Sequence, residues 1–429
     1  MTAPAPAPAD GPLPADGTVV VVGSSLAGFR TAEALRSEGF SGRLVMVGEE
    51  HHLPYDRPPL SKQVLSGAWP PEQVVLADRS RLDQLRIELI AAHRAEALDA
   101  EARRVTLDDG TVLQADGVVV ATGAAPRALP AVDAAVGDGT VSVLRTIDHC
   151  IELRRRLQAA GPGCRVVVVG AGFIGAEVAS TCTGMGAAVT VAEMLPTPLA
   201  PVVGPVVGAA VGGFHGRHGV DLRTGVAVSS VRGPQVGGEV APSYVELSDG
   251  TTLPADVVVV GIGVVPATGW LQGSGLVVDD GVVCDAALFA ADGVVAAGDV
   301  ARWRWLHHGR DELVRIEHWQ VAAEEGVAAA RSLLAGRREA VGFDPVPYFW
   351  SDQYGSRIQM LGRPAPDDDV EVVDGSLDDD KFVVLYGRGN RLTGVLGVGR
   401  PRAVMTFRPL LVAGASWDQA LAQGREARG

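Results

Sequence analysis

Three glycines and one glutamate between residues 165 and 193 have the types and spacing of a site for dinucleotide phosphates and ribose. Gly170, Gly172 and Gly175 form a G-x-G-x-x-G pattern. In this pattern the first glycine permits a tight turn, the second lets backbone approach a pyrophosphate, and the third allows close helix-strand packing. Glu193 follows roughly 20 residues later, where a carboxylate accepts hydrogen bonds from a ribose 2′-hydroxyl. It would also repel a 2′-phosphate, so we predict NADH rather than NADPH.

The elements that must position these residues occur in the required order. The β-branched run Val166–Val169 is typical of a strand buried on both faces of a parallel sheet. A helix over 173–186 and a second strand over 188–192 follow, so the phosphates would rest on a helix N-terminus. In a chain with 54 glycines a lone glycine pattern can arise by chance. The ordered strand, glycines, helix, strand and acid favour a nucleotide-binding βαβ unit.

A second copy of this unit lies near the beginning of the chain. It comprises a predicted strand at Thr18–Val22, the glycine pattern Gly23, Ser25 and Gly28, a helix over 26–38, a strand over 43–47, and the acid Glu49. Serine at the second glycine position makes this copy the weaker signal. Two such units suggest two dinucleotides, and the economical pair is a flavin dinucleotide with a nicotinamide dinucleotide.

An internal repeat supports two related nucleotide-binding domains. Residues 102–123 predict a hairpin that turns at Asp109-Gly110 and then a buried strand ending in Ala121-Thr122-Gly123. Residues 245–266 repeat this organisation. A further predicted strand, VVAAGD, ends on Asp299 at the carboxyl edge of a parallel sheet, where ligands bind.

A proline-rich loop and a helix start carry further candidate residues. In HHLPYDRPPLSK, residues 51–62, prolines fix the backbone around Arg57, which suits a pyrophosphate, and Lys62, which suits an anionic reduced flavin. An ordinary solvated loop fits the composition equally well. Glu317, His318 and Trp319 begin a predicted helix whose N-terminal dipole would favour flavin oxygens.

Composition limits the class of protein. A length of 429 residues predicts about three domains. The net charge of −14 argues against a general nucleic-acid binder. Four cysteines lie far apart without metal-ligand spacing, which predicts reduced thiols in a cytoplasmic protein and no metal site. Residues 1–17 predict a disordered tail, and no run approaches the roughly 20 apolar residues of a membrane span.

From Pro345 onward, strands and turns followed by a helix near 402–413 predict a smaller α+β domain. Asp367–Asp380 is acidic, whereas a basic run follows that comprises Lys381, Arg388, Arg391, Arg400, Arg402 and Arg408. A second basic cluster contains Arg302, Arg304, His307, His308 and Arg310. Such clusters are either solvated surface or docking sites for an acidic partner.

Together these residues resemble the FAD-dependent ferredoxin reductases of bacterial oxygenase systems, the putidaredoxin reductase-like branch of the pyridine nucleotide-disulfide oxidoreductase superfamily. The resemblance covers nearly the whole chain, and its most specific pieces are LPYDRPPLSK at 53–62, GAGFIGAEVA at 170–179, GIGVVP at 261–266, AAGDVA at 296–301, EHWQ at 317–320 and YFWSDQYG at 348–355. It implies an α/β fold of two Rossmann-like dinucleotide-binding domains, for FAD and NAD, plus a C-terminal α+β domain. The implied boundaries are 18–125 with 252–335 for FAD, 126–251 for NAD, and 336–429 for the C-terminal domain.

The resemblance also implies roles for individual residues. Lys62 and Glu177 would form an ion pair beside the flavin N5, and Trp319 would lie near the isoalloxazine. The implied FAD contacts are Gly23, Ser25, Leu26, Ala27, Gly28, Glu49, Arg57, Lys62, Ala95, Ala121, Thr122, Gly123, Arg127, Asp299, Glu317, His318 and Trp319. The implied NADH contacts are Gly170, Gly172, Phe173, Ile174, Gly175, Glu193, Gly261, Ile262 and Gly263.

The implied activity is NADH:ferredoxin oxidoreductase. FAD would take a hydride from NADH and pass electrons singly to an acidic iron-sulfur ferredoxin, which serves a haem-thiolate monooxygenase or a dioxygenase. The protein would be a monomer or weak dimer without nucleic-acid or membrane partners. Rubredoxin reduction, or NADH sensing of the apoptosis-inducing-factor type, are alternatives. Disulfide reductases are disfavoured because no cysteine precedes Cys150.

One segment departs from the family pattern. Residues 201–219, PVVGPVVGAAVGGFHGRHG, stand where the family usually has a charged helix. Each glycine weakens a helix by up to about 1 kcal/mol. Local order is therefore in doubt at this position.

Overall fold

The computed structural model describes residues 11–130, 132, 141–233 and 243–426. These residues form two compact units. The first contains the described residues up to Asp56, Val74–Ala125 and Val265–Pro347. The second contains Arg57–Gln73, the described residues from Pro126 to Val264, and those from Tyr348 onward.

The centre of the first unit is a six-stranded sheet. Its strands are, in order across the sheet, Phe289–Ala291, Val294–Ala296, Gly117–Val120, Thr18–Val22, Arg43–Gly48 and Ile87–Ala91. All neighbouring strands are parallel except the first pair. Val19–Val21 and Val118–Val120 have no exposed surface, as expected for parallel strands covered on both faces.

Helices cover this sheet, and two small sheets complete the unit. The helices are Leu26–Ser37, Arg79–Gln84 and Trp319–Ala335, with a 3-10 turn at Gly269–Leu271. The small sheets contain Ala95–Asp99, Arg104–Leu107 and Val112–Gln114 in one, and Val282–Cys284, Ala301–His307 and Arg310–Val314 in the other. The helices Leu26–Ser37 and Trp319–Ala335 pack so closely that a Cβ on Gly326 would lie 2.6 Å from the Ala27 carbonyl oxygen.

Part of the predicted tail belongs to this unit. Residues 1–10 lie outside the described residues, but the Leu13 amide donates a 3.1 Å hydrogen bond to the Leu333 carbonyl. The Leu13 side chain also packs against the core of the sheet. The ordered chain of the unit therefore begins before the predicted residue 18.

The second unit contains a second nucleotide-binding sheet. Its parallel strands are, in order, Asp221–Thr224, Ala188–Glu193, Arg165–Val169, Val257–Val260 and Val141–Val143. An antiparallel sheet of Val228–Arg232, Ser243–Leu247 and Thr252–Ala255 lies in the same unit. Thr252–Ala255 thus belongs to the antiparallel sheet and Val257–Val260 to the parallel sheet of the second unit, although the sequence-based boundary assigned both to the FAD domain. After the hairpin that turns at Asp249-Gly250, the strand Val257–Val260 pairs with Arg165–Val169 of the same βαβ unit, as the internal repeat predicts.

The helices of this region connect its strands. They are Ile147–Ala160, Phe173–Gly184 and Ala200–Arg217. Earlier in the chain, the 3-10 segment Pro58–Ser61, the short helix Gln63–Ser66 and the 3-10 segment Pro71–Val74 follow one another. Two short strands, Ala124–Pro126 and Val264–Pro266, pair with each other. Within the described part of the chain, no helix combines the length and apolarity needed to cross a membrane.

The C-terminal part of the second unit is an antiparallel sheet with three short helices. The strand order is Tyr348–Gln353, Ser356–Gly362, Arg391–Val398, Phe382–Arg388 and Asp369–Gly375. The helices are Pro401–Thr406, Arg408–Ala413 and Trp417–Glu426. The predicted single helix near 402–413 is thus two helices that meet at Phe407. Residues 336–347, which the sequence-based boundary assigned to the C-terminal domain, belong to the first unit.

The glycine-rich segment is ordered, contrary to the doubt raised by its composition. It forms the helix Ala200–Arg217, with a break at Gly204, whose φ is +76°. Gly208 and Gly212 face Pro198, and a Cβ on Gly208 would lie 2.4 Å from the Pro198 carbonyl oxygen. Packing therefore compensates for the low helix propensity of these glycines.

We expect two glycines of this helix to respond oppositely to alanine. Gly208→Ala should lower the thermal unfolding midpoint because its Cβ has no room beside Pro198. A Cβ on Gly216 would have no neighbouring atom within 4 Å, so Gly216→Ala should raise stability by up to about 1 kcal/mol. Calorimetry of both variants checks this, and shifts of the same sign would contradict the packing argument.

Candidate functional site

The three glycines of the second unit adopt the geometry that dinucleotide binding requires. Gly170 has a φ of +98°, and a Cβ there would lie 2.6 Å from the Gly261 carbonyl oxygen. A Cβ on Gly175 would lie 2.0 Å from the Gly170 carbonyl oxygen. A Cβ on Gly172 would meet nothing nearer than 4.0 Å, so this backbone faces open space. Gly172 precedes the helix Phe173–Gly184 without a side-chain cap, which leaves amide groups for a phosphate.

Glu193 is fixed at the end of the neighbouring strand. The carboxylate accepts hydrogen bonds from the Ala171 amide at 2.7 Å and the Leu195 amide at 2.8 Å. Because an ionised carboxylate has about four acceptor positions, two remain for ribose hydroxyl groups. Glu193, the residue predicted to bind the ribose, thus also holds the glycine loop through the Ala171 amide.

The remaining predicted NADH contacts border this loop. Ile174 is exposed, whereas the Phe173 ring lies 4.6 Å from the Phe349 ring. Gly261–Gly263 follow the adjacent strand Val257–Val260, and Gly263 has a φ of +94° with open space around it. These positions fit a nucleotide that approaches backbone rather than side chains.

The first unit repeats this geometry. Gly23 has a φ of +119°, and a Cβ there would lie 2.1 Å from the Ala121 carbonyl oxygen. A Cβ on Gly28 would lie 1.9 Å from the Gly23 carbonyl oxygen. Ser25 precedes the helix that begins at Leu26 and makes no side-chain cap bond to it. Serine at the second position therefore leaves the helix N-terminus uncapped, as a bound pyrophosphate requires.

Several other predicted FAD contacts follow two strands of the six-stranded sheet, Gly117–Val120 and Val294–Ala296. Thr122 donates a 2.8 Å hydrogen bond to the Ala267 carbonyl, and Gly123 has a φ of +66°. Gly298, with a φ of +80°, precedes Asp299, which is partly exposed. Of the others, Ala27 and Ala95 are buried, Glu49 and Glu317 are exposed, and His318 is partly buried. Glu317 forms a 2.5 Å ion pair with Arg315.

Trp319 is held by an aspartate. Its indole Nε1 donates a 2.5 Å hydrogen bond to the Asp56 carboxylate. Burial raises the pKa of Asp56, while the Trp319 hydrogen bond and the Arg30 charge lower it by less. Sequence reasoning missed Asp56, although it lies inside the quoted motif LPYDRPPLSK.

A buried acid supports the loop before Asp299. Glu325 has no exposed surface, and its Oε2 accepts a 2.5 Å hydrogen bond from the Gly298 amide. Burial raises the pKa of Glu325 well above its ordinary value. Its Oε1 has no hydrogen-bond partner among the described residues. The signal in the sequence is an acid on an otherwise apolar helix face, four residues after Val321 and four residues before Ala329.

Lys62 and Glu177 form the ion pair that the resemblance implies. The Nζ of Lys62 lies 2.6 Å from the Oε2 of Glu177, and both side chains are largely buried. Nearby hydroxyl groups of Ser61 and Ser351 also donate to Glu177, at 2.5 and 2.8 Å. Neither serine was predicted as a site residue.

Two arginines predicted to contact FAD belong to the second unit. Arg57 donates a 2.6 Å hydrogen bond to the Arg145 carbonyl. The Arg127 amide donates to the Gly263 carbonyl at 2.9 Å, and its guanidinium donates to the Val264 carbonyl at 3.3 Å. Their FAD contacts stay predictions.

All four cysteines are free and buried. Burial raises the pKa of Cys150 to about 11 and that of Cys182 to about 12. It also raises the pKa of Cys164 and Cys284. Thiols of this kind are poor nucleophiles, so the chain lacks the chemistry of a dithiol reductase.

Comparison with known proteins identifies the family. A family model described as pyridine nucleotide-disulphide oxidoreductase matches residues 17–326, and one described as reductase C-terminal matches residues 348–427. The chain belongs to the pyridine nucleotide-disulphide oxidoreductase family. It is an oxidoreductase that uses FAD and NAD(P)H. The predicted fold, two Rossmann-like domains and a C-terminal α+β domain, is confirmed.

Individual relatives agree over most of the oxidoreductase. Rhodocoxin reductase of Rhodococcus erythropolis is 37% identical over 395 residues, which are 92% of this chain and 89% of the relative. The ferredoxin reductase component of chlorobenzene dioxygenase from Cupriavidus sp. (strain PS12) is 35% identical over 410 residues, 94% of each chain. The covalent putidaredoxin reductase-putidaredoxin complex contains a chain that superimposes with a TM-score of 0.87 at 32% identity, covering 96% of this oxidoreductase and 99% of that chain.

We expect the partly buried Asp56 to make stability depend on pH. Because its pKa is raised in the folded protein, the folded state binds the proton more tightly than the unfolded state. Stability therefore falls as pH rises from the ordinary value of 3.8 through the raised value. Asp56→Asn should remove this loss, so its unfolding midpoint relative to wild type should increase with pH across that range.

The control is Asp83→Asn, which changes an exposed aspartate of the same unit. Differential scanning calorimetry over a pH series measures both variants. A constant difference between Asp56→Asn and wild type at every pH would contradict the prediction.

Proposed function

We propose that the protein is an NADH:ferredoxin oxidoreductase of an oxygenase system. The observation that carries the proposal is the buried Lys62–Glu177 pair in a chain that has two uncapped glycine loops and no reactive thiol. The relative named as the ferredoxin reductase component of chlorobenzene dioxygenase supports the same conclusion. The protein acts in the cytoplasm, where its thiols stay reduced and NADH is supplied.

Bound FAD would accept a hydride from NADH and release electrons singly to the iron-sulfur centre of a ferredoxin. The residues of the chain supply binding, orientation and charge. The uncapped amides at the starts of the helices Leu26–Ser37 and Phe173–Gly184 would hold the two pyrophosphates, and Lys62 would supply positive charge for a reduced flavin. Glu177 keeps the Lys62 ammonium in place. Trp319, which Asp56 fixes through the indole Nε1, would offer a rigid aromatic surface to the flavin.

Glu193 favours NADH as the hydride donor. Its two unused acceptor positions fit the ribose 2′- and 3′-hydroxyl groups, and its charge opposes a 2′-phosphate. Arg223, on the neighbouring strand, is engaged by Asp221 at 2.9 Å. A 2′-phosphate therefore gains no compensating cation from that side chain.

The charge distribution of the C-terminal module favours an acidic ferredoxin. Two members of the predicted basic run are paired, Arg388 with Asp367 and Asp368, and Arg400 with Asp374. In the described part of the chain, four exposed members have no ion-pair partner, namely Lys381, Arg391, Arg402 and Arg408. On a protein of net charge −14 such exposed cations attract an acidic partner to the C-terminal module. Arg302 and Arg304 of the second predicted cluster pair with Asp279 and Asp311 instead.

The test is anaerobic stopped-flow absorbance of the FAD-loaded protein. NADH should bleach the flavin rapidly and NADPH slowly, because Glu193 repels the 2′-phosphate. Acidic iron-sulfur ferredoxins should then restore the oxidised spectrum, and faster at low salt than at high salt. Flavin that NADH does not bleach would overturn the proposal. Bleached flavin that persists with every ferredoxin would point to the sensing alternative, and reoxidation by rubredoxin alone to the rubredoxin alternative.

A further inference from the structure

Glu177 is an acceptor for four donors. Its Oε2 accepts from the Ser61 hydroxyl at 2.5 Å and the Lys62 ammonium at 2.6 Å. Its Oε1 accepts from the Ser351 hydroxyl at 2.8 Å and the Asp352 amide at 3.3 Å. A carboxylate offers about four lone-pair positions. Each oxygen of Glu177 is therefore fixed by two donors, and the carboxylate plane has little freedom to rotate.

The donors come from two segments that are remote in sequence. Ser61 and Lys62 end the proline-rich loop, whereas Ser351 and Asp352 lie on Tyr348–Gln353, the first strand of the C-terminal module. Glu177 is on the helix Phe173–Gly184, whose N-terminus forms the glycine loop. The Glu177 carboxylate thus connects the helix Phe173–Gly184 to the end of the proline-rich loop and to the strand Tyr348–Gln353.

Two more hydrogen bonds hold the same helix face against these segments. The Thr181 hydroxyl donates to the Ser61 carbonyl at 2.7 Å, and the Tyr354 amide donates to the Ser180 hydroxyl at 2.7 Å. Residues 177, 180 and 181 are spaced i, i+3 and i+4, so they share one side of the helix. Loss of one donor to Glu177 therefore leaves the two segments attached.

The hydroxyl of Ser351 has a defined direction. Ser351 has no exposed surface, and the Gln353 side-chain amide donates to its oxygen at 3.1 Å. Because the Glu177 carboxylate accepts hydrogen bonds, the single hydroxyl proton of Ser351 must point to it. Gln353 then has to present its NH₂ group. Gln353, Ser351 and Glu177 form a chain of hydrogen bonds that ends at Lys62.

We propose that Ser351 is a positioning residue, through which the C-terminal module orients Glu177 and thereby the Lys62 ammonium. The inference rests on the proposed function, in which Lys62 acts on the flavin. Without the Ser351 hydroxyl, Oε1 keeps only the long bond from the Asp352 amide. Glu177 can then turn, and the Lys62 ammonium loses its fixed acceptor.

The test uses the small number of lysines in the chain. Lys62 and Lys381 are the only two, so protein labelled with ¹³C,¹⁵N-lysine gives two side-chain ammonium signals in NMR spectra. Lys381→Arg assigns them. In Ser351→Ala the Lys62 signal should shift and its ammonium protons should exchange faster with water, by about tenfold. The Lys381 signal should stay in place.

The matched control is Ser142→Ala. Ser142 is also a buried serine of the second unit, and its hydroxyl has no hydrogen-bond partner among the described residues. Its loss should leave the Lys62 signal unchanged. If Ser351→Ala does not fold, Ser351→Cys replaces the hydroxyl by an isosteric but weak donor and should give the same shift.

Stopped-flow data on the FAD-loaded variants supply a second readout. In Ser351→Ala the rate of flavin bleaching at saturating NADH should fall about tenfold, with the NADH concentration for half-maximal rate unchanged. A Lys62 signal that is the same in Ser351→Ala, Ser142→Ala and wild type would overturn the inference. Wild-type flavin that NADH does not bleach would overturn the proposed function instead.

Discussion

The buried ion pair between Lys62 and Glu177 constrains the second unit more than any other contact described above. The side chains are only 12% and 4% exposed, and an unpartnered charge at such a site costs several kcal/mol. Ser61 and Ser351 reduce that cost by filling the remaining acceptor positions of the carboxylate. This requirement fits the placement of residues 57–73 in the second unit, although they follow in sequence on strands of the first unit.

The two nucleotide-binding folds use the same glycine geometry to bring a helix N-terminus close to the end of a strand. In each, the first glycine takes a positive φ and the third removes a Cβ that would collide with the carbonyl oxygen of the first. The result is a helix N-terminus without a side-chain cap, close to the end of a parallel strand. The copies differ in their acids. Glu193 is buried and bound to the glycine loop, whereas Glu49 is exposed.

Sequence reasoning succeeded where a local pattern has a local cause. Valine runs marked both central strands, and glycine spacing marked both loops. Contacts over long sequence separations gave no such signal. Trp319 and Asp56 are 263 residues apart and Ser351 and Glu177 are 174 apart, so only the folded chain brings them together. The order of helix Ala200–Arg217 was underestimated because its glycines are compensated by packing on Pro198. The pairing of Arg388 and Arg400 with aspartates had no local signal either, because the sheet brings these residues together.

In the proposed function, the Lys62 ammonium, held by Glu177, stabilises the reduced flavin. An anaerobic redox titration of the FAD-loaded Lys62→Gln variant, with Lys381→Gln as control, tests it most directly. The midpoint potential of Lys62→Gln should be more negative than that of wild type, because the anionic reduced flavin loses a nearby positive charge, and that of Lys381→Gln should not change. Equal midpoint potentials for both variants and wild type would contradict it.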